Sequence, residues 1–233
     1  QARCHVIENG YDEDAFNGVE PDRFGAPANK LLILHSGLIY PKDRNPSTFF
    51  SAINSLLQKK MIDRENLCIR FRAPYHDEEV LASAQQYGLQ DVVEVAPPVP
   101  YQRAIAEMLG ADLLVVFQGG NFNAQIPAKI YEYLRAARPV FAVVDPAGDT
   151  AAILRQFPGA YVADIASEMN IATNLEVALA DLRGDRQSVE LQRNVDQVRR
   201  YSRKEQTMRL VTYLNAVLPQ PEKDTENCRG NTE

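Results

Sequence analysis

Lys129 and Glu132 stand three residues apart in the segment PAKIYEYL, residues 127–134. If that segment is helical, the spacing puts both side chains on one face. Pro127 marks the helix start, because proline is well tolerated at the first helical position. Lys129 then falls in the first turn, where a cation opposes the helix dipole at a cost of about 0.3–1 kcal/mol. An anion bound at the same end would offset that conflict. A lysine for a phosphate and a carboxylate for a ribose diol is the chemistry this pair could serve. An ordinary i,i+3 ion pair on a solvated helix face is the competing reading.

Two loops could complete such a site. One is HSGLIYPKDRNP, residues 35–46, which carries Gly37 and Arg44; the other is QGGNFNAQIP, residues 118–127, which carries Gly119, Gly120, Asn121, Asn123 and Gln125. Each ends where a helix is expected to begin, and free N–H groups there favour an anion. Neither loop contains GxGxxG, and no GxxxxGK[ST] occurs, so an NAD-type site and a P-loop are disfavoured. His35 closes an apolar run and reads as a core histidine. His5 and His76 have no carboxylate or cysteine at ligand spacing, so no metal site is expected. Cys4, Cys68 and Cys228 are odd in number and far apart. That argues against a disulfide framework and a CxxC metal site, and for a reducing, cytoplasmic compartment.

The elements that must position these loops alternate. Strands are expected at 30–36, 67–71, 92–96, 112–117, 140–144 and 161–163, where apolar runs suit burial on both faces. Helices are expected from Asn45-Pro46 through Leu57, at 78–87 before Gly88, at 101–109, from Pro127 to before Pro139, and at 149–156. Two more, 167–182 and 186–217, close the chain, the last with Val195, Val198, Tyr201, Met208, Val211 and Leu214 as its apolar positions. Such alternation implies an α/β fold, a doubly wound parallel six-stranded Rossmann-like sheet. With strand order 3-2-1-4-5-6, its ligand crevice opens between strands 1 and 4, where both loops emerge.

Length and composition bound the rest. The 233 residues, 45% apolar, allow one domain with a sizeable core. Residues 1–29 read as a connecting segment between domains, 30–218 as the Rossmann-like domain, and 219–233 as a disordered tail. The apolar runs 111–117 and 139–144 are too short to span a bilayer, and no signal-peptide pattern opens the chain. A net charge of −6 makes a poor nucleic-acid binder. Residues 183–209 carry +4, however, which suits a solvated face, an anionic membrane surface or a partner domain.

These segments together resemble the C-terminal donor-binding domain of GT-B glycosyltransferases, family 4 type (glycosyl transferases group 1). HVIENGYDEDAF, residues 5–16, is similar to the family's linker entry. LLILHSGLIYPKDRNPSTFFSAINSLL is similar to its first strand, glycine turn and helix. VEVAPPVPYQRAIAEMLGADLLVVF and IPAKIYEYLRAARPVFAVV are similar to its later motifs, in matching order over about residues 5–217. The resemblance implies one half of a GT-B architecture that binds a nucleoside-diphosphate sugar as donor substrate, with no separate cofactor and no metal. It places Glu132 at the second glutamate of the E-x7-E motif, on the ribose, Gly37 beside the diphosphate, and Arg44 and Lys129 on the phosphates. It places 96–101, with Val99 and Tyr101, along the base. The motif's first glutamate falls at Ala124 and the linker's proline at Glu8, so Asn121, Asn123 or Gln125 would have to meet the sugar.

The implied activity is retaining hexosyl transfer to an acceptor, in cell-surface polysaccharide or glycoconjugate synthesis at the cytoplasmic face of the plasma membrane. An acceptor-binding N-terminal domain is then a missing partner, and this chain alone is expected to be inactive. Two alternatives stay open: a nucleotide-binding module without catalysis, and a GT-B sugar-nucleotide epimerase. The epimerase needs a carboxylate acid/base set that 118–125 does not contain.

Overall fold

Six strands form one sheet: β1 Leu31–Ser36, β2 Leu67–Arg72, β3 Val93–Ala96, β4 Leu113–Gln118, β5 Val140–Val144 and β6 Ala160–Asp164. This computed structural model describes residues 4–40, 42–184 and 195–218. The strand order is β3-β2-β1-β4-β5-β6 and every neighbouring pair is parallel. That is the doubly wound order expected from the alternating runs.

The helices are α1 Ser47–Gln58, α2 Asp77–Gln86, α3 Tyr101–Gly110, α4 Ala128–Arg135, α5 Asp149–Leu154, α6 Glu168–Gly184, α7 Val195–Arg199 and α8 Arg203–Val217. Alternate residues of each strand serve opposite faces of the sheet. Ile33, Val115, Phe117 and Phe141 pack on one face with Phe49, Phe50 and Ile53 of α1 and Ile171 and Leu175 of α6. Leu32, Leu34, Leu114 and Val116 pack on the other with Ile105 of α3 and Ile130 and Leu134 of α4. A strand with both faces covered needs a near-unbroken apolar run, as β1, β4 and β5 show, whereas β2 and β3 carry Arg70, Arg72 and Glu94.

Asn45 starts α1 as expected, its Oδ1 accepting the Ser47 N–H at 2.9 Å. The first segment is packed down on the domain: Tyr11 and Phe16 are buried. The Tyr11 N–H donates to the Tyr201 carbonyl at 3.2 Å, and the Arg203 N–H donates to the Tyr11 carbonyl at 2.9 Å.

One expected element is corrected. Within its described part, residues 195–217, the helix placed at 186–217 is broken at Tyr201-Ser202 into α7 and α8. Ser202 caps α8 by accepting the Glu205 N–H at 3.3 Å, and an S-x-x-E spacing of this kind ends one helix by starting another. Val198 and Tyr201 are buried, whereas Met208, Val211 and Leu214 are exposed. The tail 219–233, Cys228, Pro41 and residues 185–194 lie outside the described residues.

Candidate anion site at the β1–β4 crevice

Strand order reverses between β1 and β4, the switch point at whose carboxyl edge an open α/β sheet typically binds its ligand. Gly119 draws the two loops together. Its N–H donates to the Asp43 carbonyl, and a Cβ there would lie 2.7 Å from that oxygen. Only glycine allows this approach. Asn121 adds a longer contact, its Nδ2 3.4 Å from Asp43 Oδ1.

On the α4 side, Lys129 lies in the first turn and reaches back over β1. A Cβ on Gly37 would stand 3.1 Å from Lys129 Nζ, and Gly37 itself has φ +102°. Glycine is required here twice over, for the backbone conformation and for the space the amine occupies. Lys129 Nζ is 3.2 Å from His35 Nε2. His35 is fully buried at the end of β1, with Nδ1 3.0 Å from the Val115 carbonyl. A carbonyl can only accept, so Nδ1 carries the proton and Nε2 is left to accept from the lysine. Burial first, and the Lys129 charge second, hold His35 well below the usual histidine range.

Lys129 is half-buried. Desolvation, then the charge of Arg44, push its amine down to about 7, against a smaller opposing effect of Glu132. Arg44 sits 4.9 Å over the Tyr40 ring, and its buried Nε has no hydrogen-bond partner. Among the ion pairs of the described residues, none engages Lys129 or Arg44. Two cations thus converge on a helix N-terminus with no carboxylate between them.

Glu132 is occupied elsewhere. Its Oε1 accepts from Tyr101 Oη at 2.7 Å, and burial followed by this carboxylate holds the Tyr101 phenol above its ordinary value. The i,i+3 ion pair is therefore not formed; the two residues point to different partners. Tyr133, buried, accepts the Ser36 N–H at 3.0 Å and fixes the carboxyl end of β1.

The remaining expected residues separate into two groups. Val99 is half-buried, two residues before Tyr101. Asn123 turns away to Asp145 at the end of β5, donating from Nδ2 to Oδ2 at 2.6 Å. Gly120 borders the same carboxylate, 3.3 Å from where its Cβ would be. The Asp145 carboxyl is held below its ordinary value by the Asn123 amide and the Ala147 N–H. Gln125 is exposed, with its carbonyl taken by Gln118 and Thr150. No cluster of three or more His, Cys, Asp or Glu that could hold a metal occurs among the described residues. One cleft of about 540 Å³ lies away from these loops, beside Tyr11, Arg135 and Ser202; another of about 370 Å³ is lined by Ile39, Asn45 and Pro46 of the first loop and by Val80 and Ser83 of α2.

No protein-family model matches the sequence, and no curated protein is significantly similar to it. Solved structures are. Sucrose-phosphate synthase from Thermosynechococcus elongatus superposes with TM-score 0.69 at 14% identity, over 91% of this chain and 52% of its own. A glycosyltransferase from Rickettsia africae gives 0.68 at 14% identity, over 91% and 56%. WaaG, a glycosyltransferase involved in lipopolysaccharide biosynthesis, gives 0.63 at 17% identity, over 85% and 51%. The chain shares the six-stranded parallel α/β fold of part of each of these proteins. The chain spans about half the length of each of these GT-B proteins, and at such identities the likeness concerns the fold. Among the described residues, no helix is long and apolar enough to cross a membrane.

Proposed function

We propose that this chain is the donor-binding part of a glycosyltransferase, holding the diphosphate of a nucleoside-diphosphate sugar at the N-terminus of α4. One observation carries the reading: Lys129, beside Gly37, lies within the field of the Arg44 charge, and neither cation has an ion-pair partner among the described residues. Leaving charge uncompensated costs stability, and a bound diphosphate would recover it. Glu132, oriented by Tyr101, is the group for the ribose diol. During transfer the leaving diphosphate gains charge, and prepositioned cations and helix N–H groups stabilise it without reorganising.

On the same reading, the acceptor site belongs to a partner domain, the chain by itself transfers no sugar, and the reaction retains configuration in cell-surface glycan synthesis. A nucleotide-binding module without catalysis is the second reading. Ala124, which is exposed, favours it, since the resemblance puts this residue at the position of the motif's first glutamate. Titration calorimetry with UDP, GDP and ADP in EDTA tests the shared claim. At least one nucleoside diphosphate is expected to bind without metal, and silence from all three at millimolar concentration would overturn both readings.

A further inference from the structure

Lysine has a flexible four-carbon stem, so an amine that must meet a phosphate needs something to hold it. In this crevice the holder is a buried histidine. We propose that His35 is a positioning residue for the anion site, its Nε2 keeping the Lys129 amine over Gly37 and aimed at a phosphate oxygen. The proposal rests on the donor-site reading above. The geometry is specific at both ends of the ring. Nδ1 is committed to the Val115 carbonyl of β4 at 3.0 Å, so Nε2 accepts from Lys129 at 3.2 Å. Phe71 and Phe117 flank the ring, with centroids 5.7 and 5.4 Å away, and fix its plane. Strand β1, strand β4 and helix α4 thereby meet through one side chain at the point where strand order reverses.

The other charged or titratable groups acting on Lys129 are Arg44 from the loop after β1, which repels the ammonium, and Glu132 on α4, which favours it. Tyr101 from α3 acts through Glu132. An acceptor at Nε2 satisfies one ammonium N–H that burial removes from water. It also keeps the amine from swinging toward Glu132. Three acceptor needs of the ammonium are then divided, with one met by His35 and the others left for the incoming anion.

Two substitutions separate positioning from mere packing. His35→Asn keeps a donor near the Nδ1 position for Val115 and loses the acceptor toward Lys129. His35→Gln reaches the Nε2 position with an oxygen and gives up the Val115 bond. Lysine 13Cε NMR titration and calorimetry with inorganic pyrophosphate are the readouts. Positioning predicts that the Asn variant lowers the Lys129 midpoint from about 7 and weakens pyrophosphate about tenfold. The Gln variant should hold both within about twofold. A structural role predicts the reverse order, with Gln the more damaging, and that order overturns the proposal, as does an unmoved midpoint in the Asn variant. If the Asn variant does not fold, Gln alone decides, because loss of pyrophosphate binding there overturns it. Wild-type protein that binds neither pyrophosphate nor nucleotides would overturn the donor site instead, while the lysine titration still decides the His35 contact.

Discussion

Two charged clusters lie on this sheet, and they are built on opposite rules. Beneath α3, Glu107 is fully buried and accepts from Arg70 Nη1 at 2.8 Å and from Arg72 Nε and Nη2, both at 2.7 Å. Arg70 is also bonded to Glu94 and to the Arg23 carbonyl, and Arg72 to the Pro97 carbonyl. Every charge there has its opposite. At the α4 N-terminus, neither Lys129 nor Arg44 has an ion-pair partner among the described residues, and Glu132 acts on Lys129 only from a distance. The paired cluster ties the segment around Arg23 and Phe24 to β2 and α3. The open cluster contributes nothing comparable to the fold. Charge that holds this structure together is compensated within it, and under the donor-site proposal the open charge is what a ligand from outside would compensate.

The largest expected effect is in the closed cluster. Glu107→Gln leaves two buried guanidinium groups short of an anion, which costs about 3–5 kcal/mol in comparable networks. Urea unfolding should show that loss, with nucleotide affinity unchanged in the protein that remains folded. A cost under about 1 kcal/mol would mean that the cluster is less compensated than it looks, and the contrast would fail.

The open cluster should respond in the opposite sense. Lys129→Met removes a charge-assisted bond to phosphate and should weaken a nucleoside diphosphate by roughly 1.5–3 kcal/mol, about 10- to 100-fold. Stability should rise. The folded-state pKa of Lys129 lies near 7, below the ordinary 10.5, so between these values the unfolded chain binds a proton that the folded chain lacks. Wild-type stability therefore climbs with pH across that window, and the penalty is complete below it. The Met variant escapes the penalty, by on the order of 1–3 kcal/mol at pH 6 once solvent screening of a half-buried group is allowed for. Its advantage should fade towards pH 10. Melting curves of both proteins from pH 6 to 10 check this, and a Met variant less stable at every pH would show that Lys129 serves the fold.

Much of the scaffold was legible because its signals are local. Buried parallel strands are short apolar runs, Pro127 and Asn45-Pro46 mark helix starts, and the two-face alternation leaves little choice of fold class. Gly37, Lys129 and Arg44 could be grouped before any coordinates, since strand order alone brings the loops after β1 and β4 together. Pairings between distant side chains were not legible. Nothing near His35 signals that Lys129, 94 residues later, will take its Nε2. Glu132 and Tyr101 are 31 residues apart and meet because α3 and α4 pack into the core on the same face of the sheet. The break before α8 carried a visible capping box, Ser202 to Glu205, but the apolar spacing of Val198, Tyr201 and Met208 ran through it. In the fold the Ser202 cap prevails over that spacing.

Glu132→Gln should have the smallest effect and sharpens the contrast most. The amide keeps an oxygen for Tyr101 Oη, so the fold and the tyrosine contact should survive. What is lost is a carboxylate able to accept from two vicinal hydroxyls at once, and with it charge assistance that roughly doubles such bonds. Nucleoside diphosphates should weaken by about 1 kcal/mol, close to fivefold. Inorganic pyrophosphate has no ribose and should be unaffected, but only where Lys129 stays charged. Glu132 favours the Lys129 ammonium, so its loss lowers that pKa and would weaken any phosphate ligand near or above pH 7. At pH 6 this indirect route is largely closed, and the two ligands should part company. At pH 8 both should weaken, pyrophosphate through Lys129 alone. Calorimetry with both ligands at both pH values separates the contributions. Equal weakening at pH 6 would move Glu132 from the ribose to the phosphates, and no change in any of the four measurements would remove it from the site.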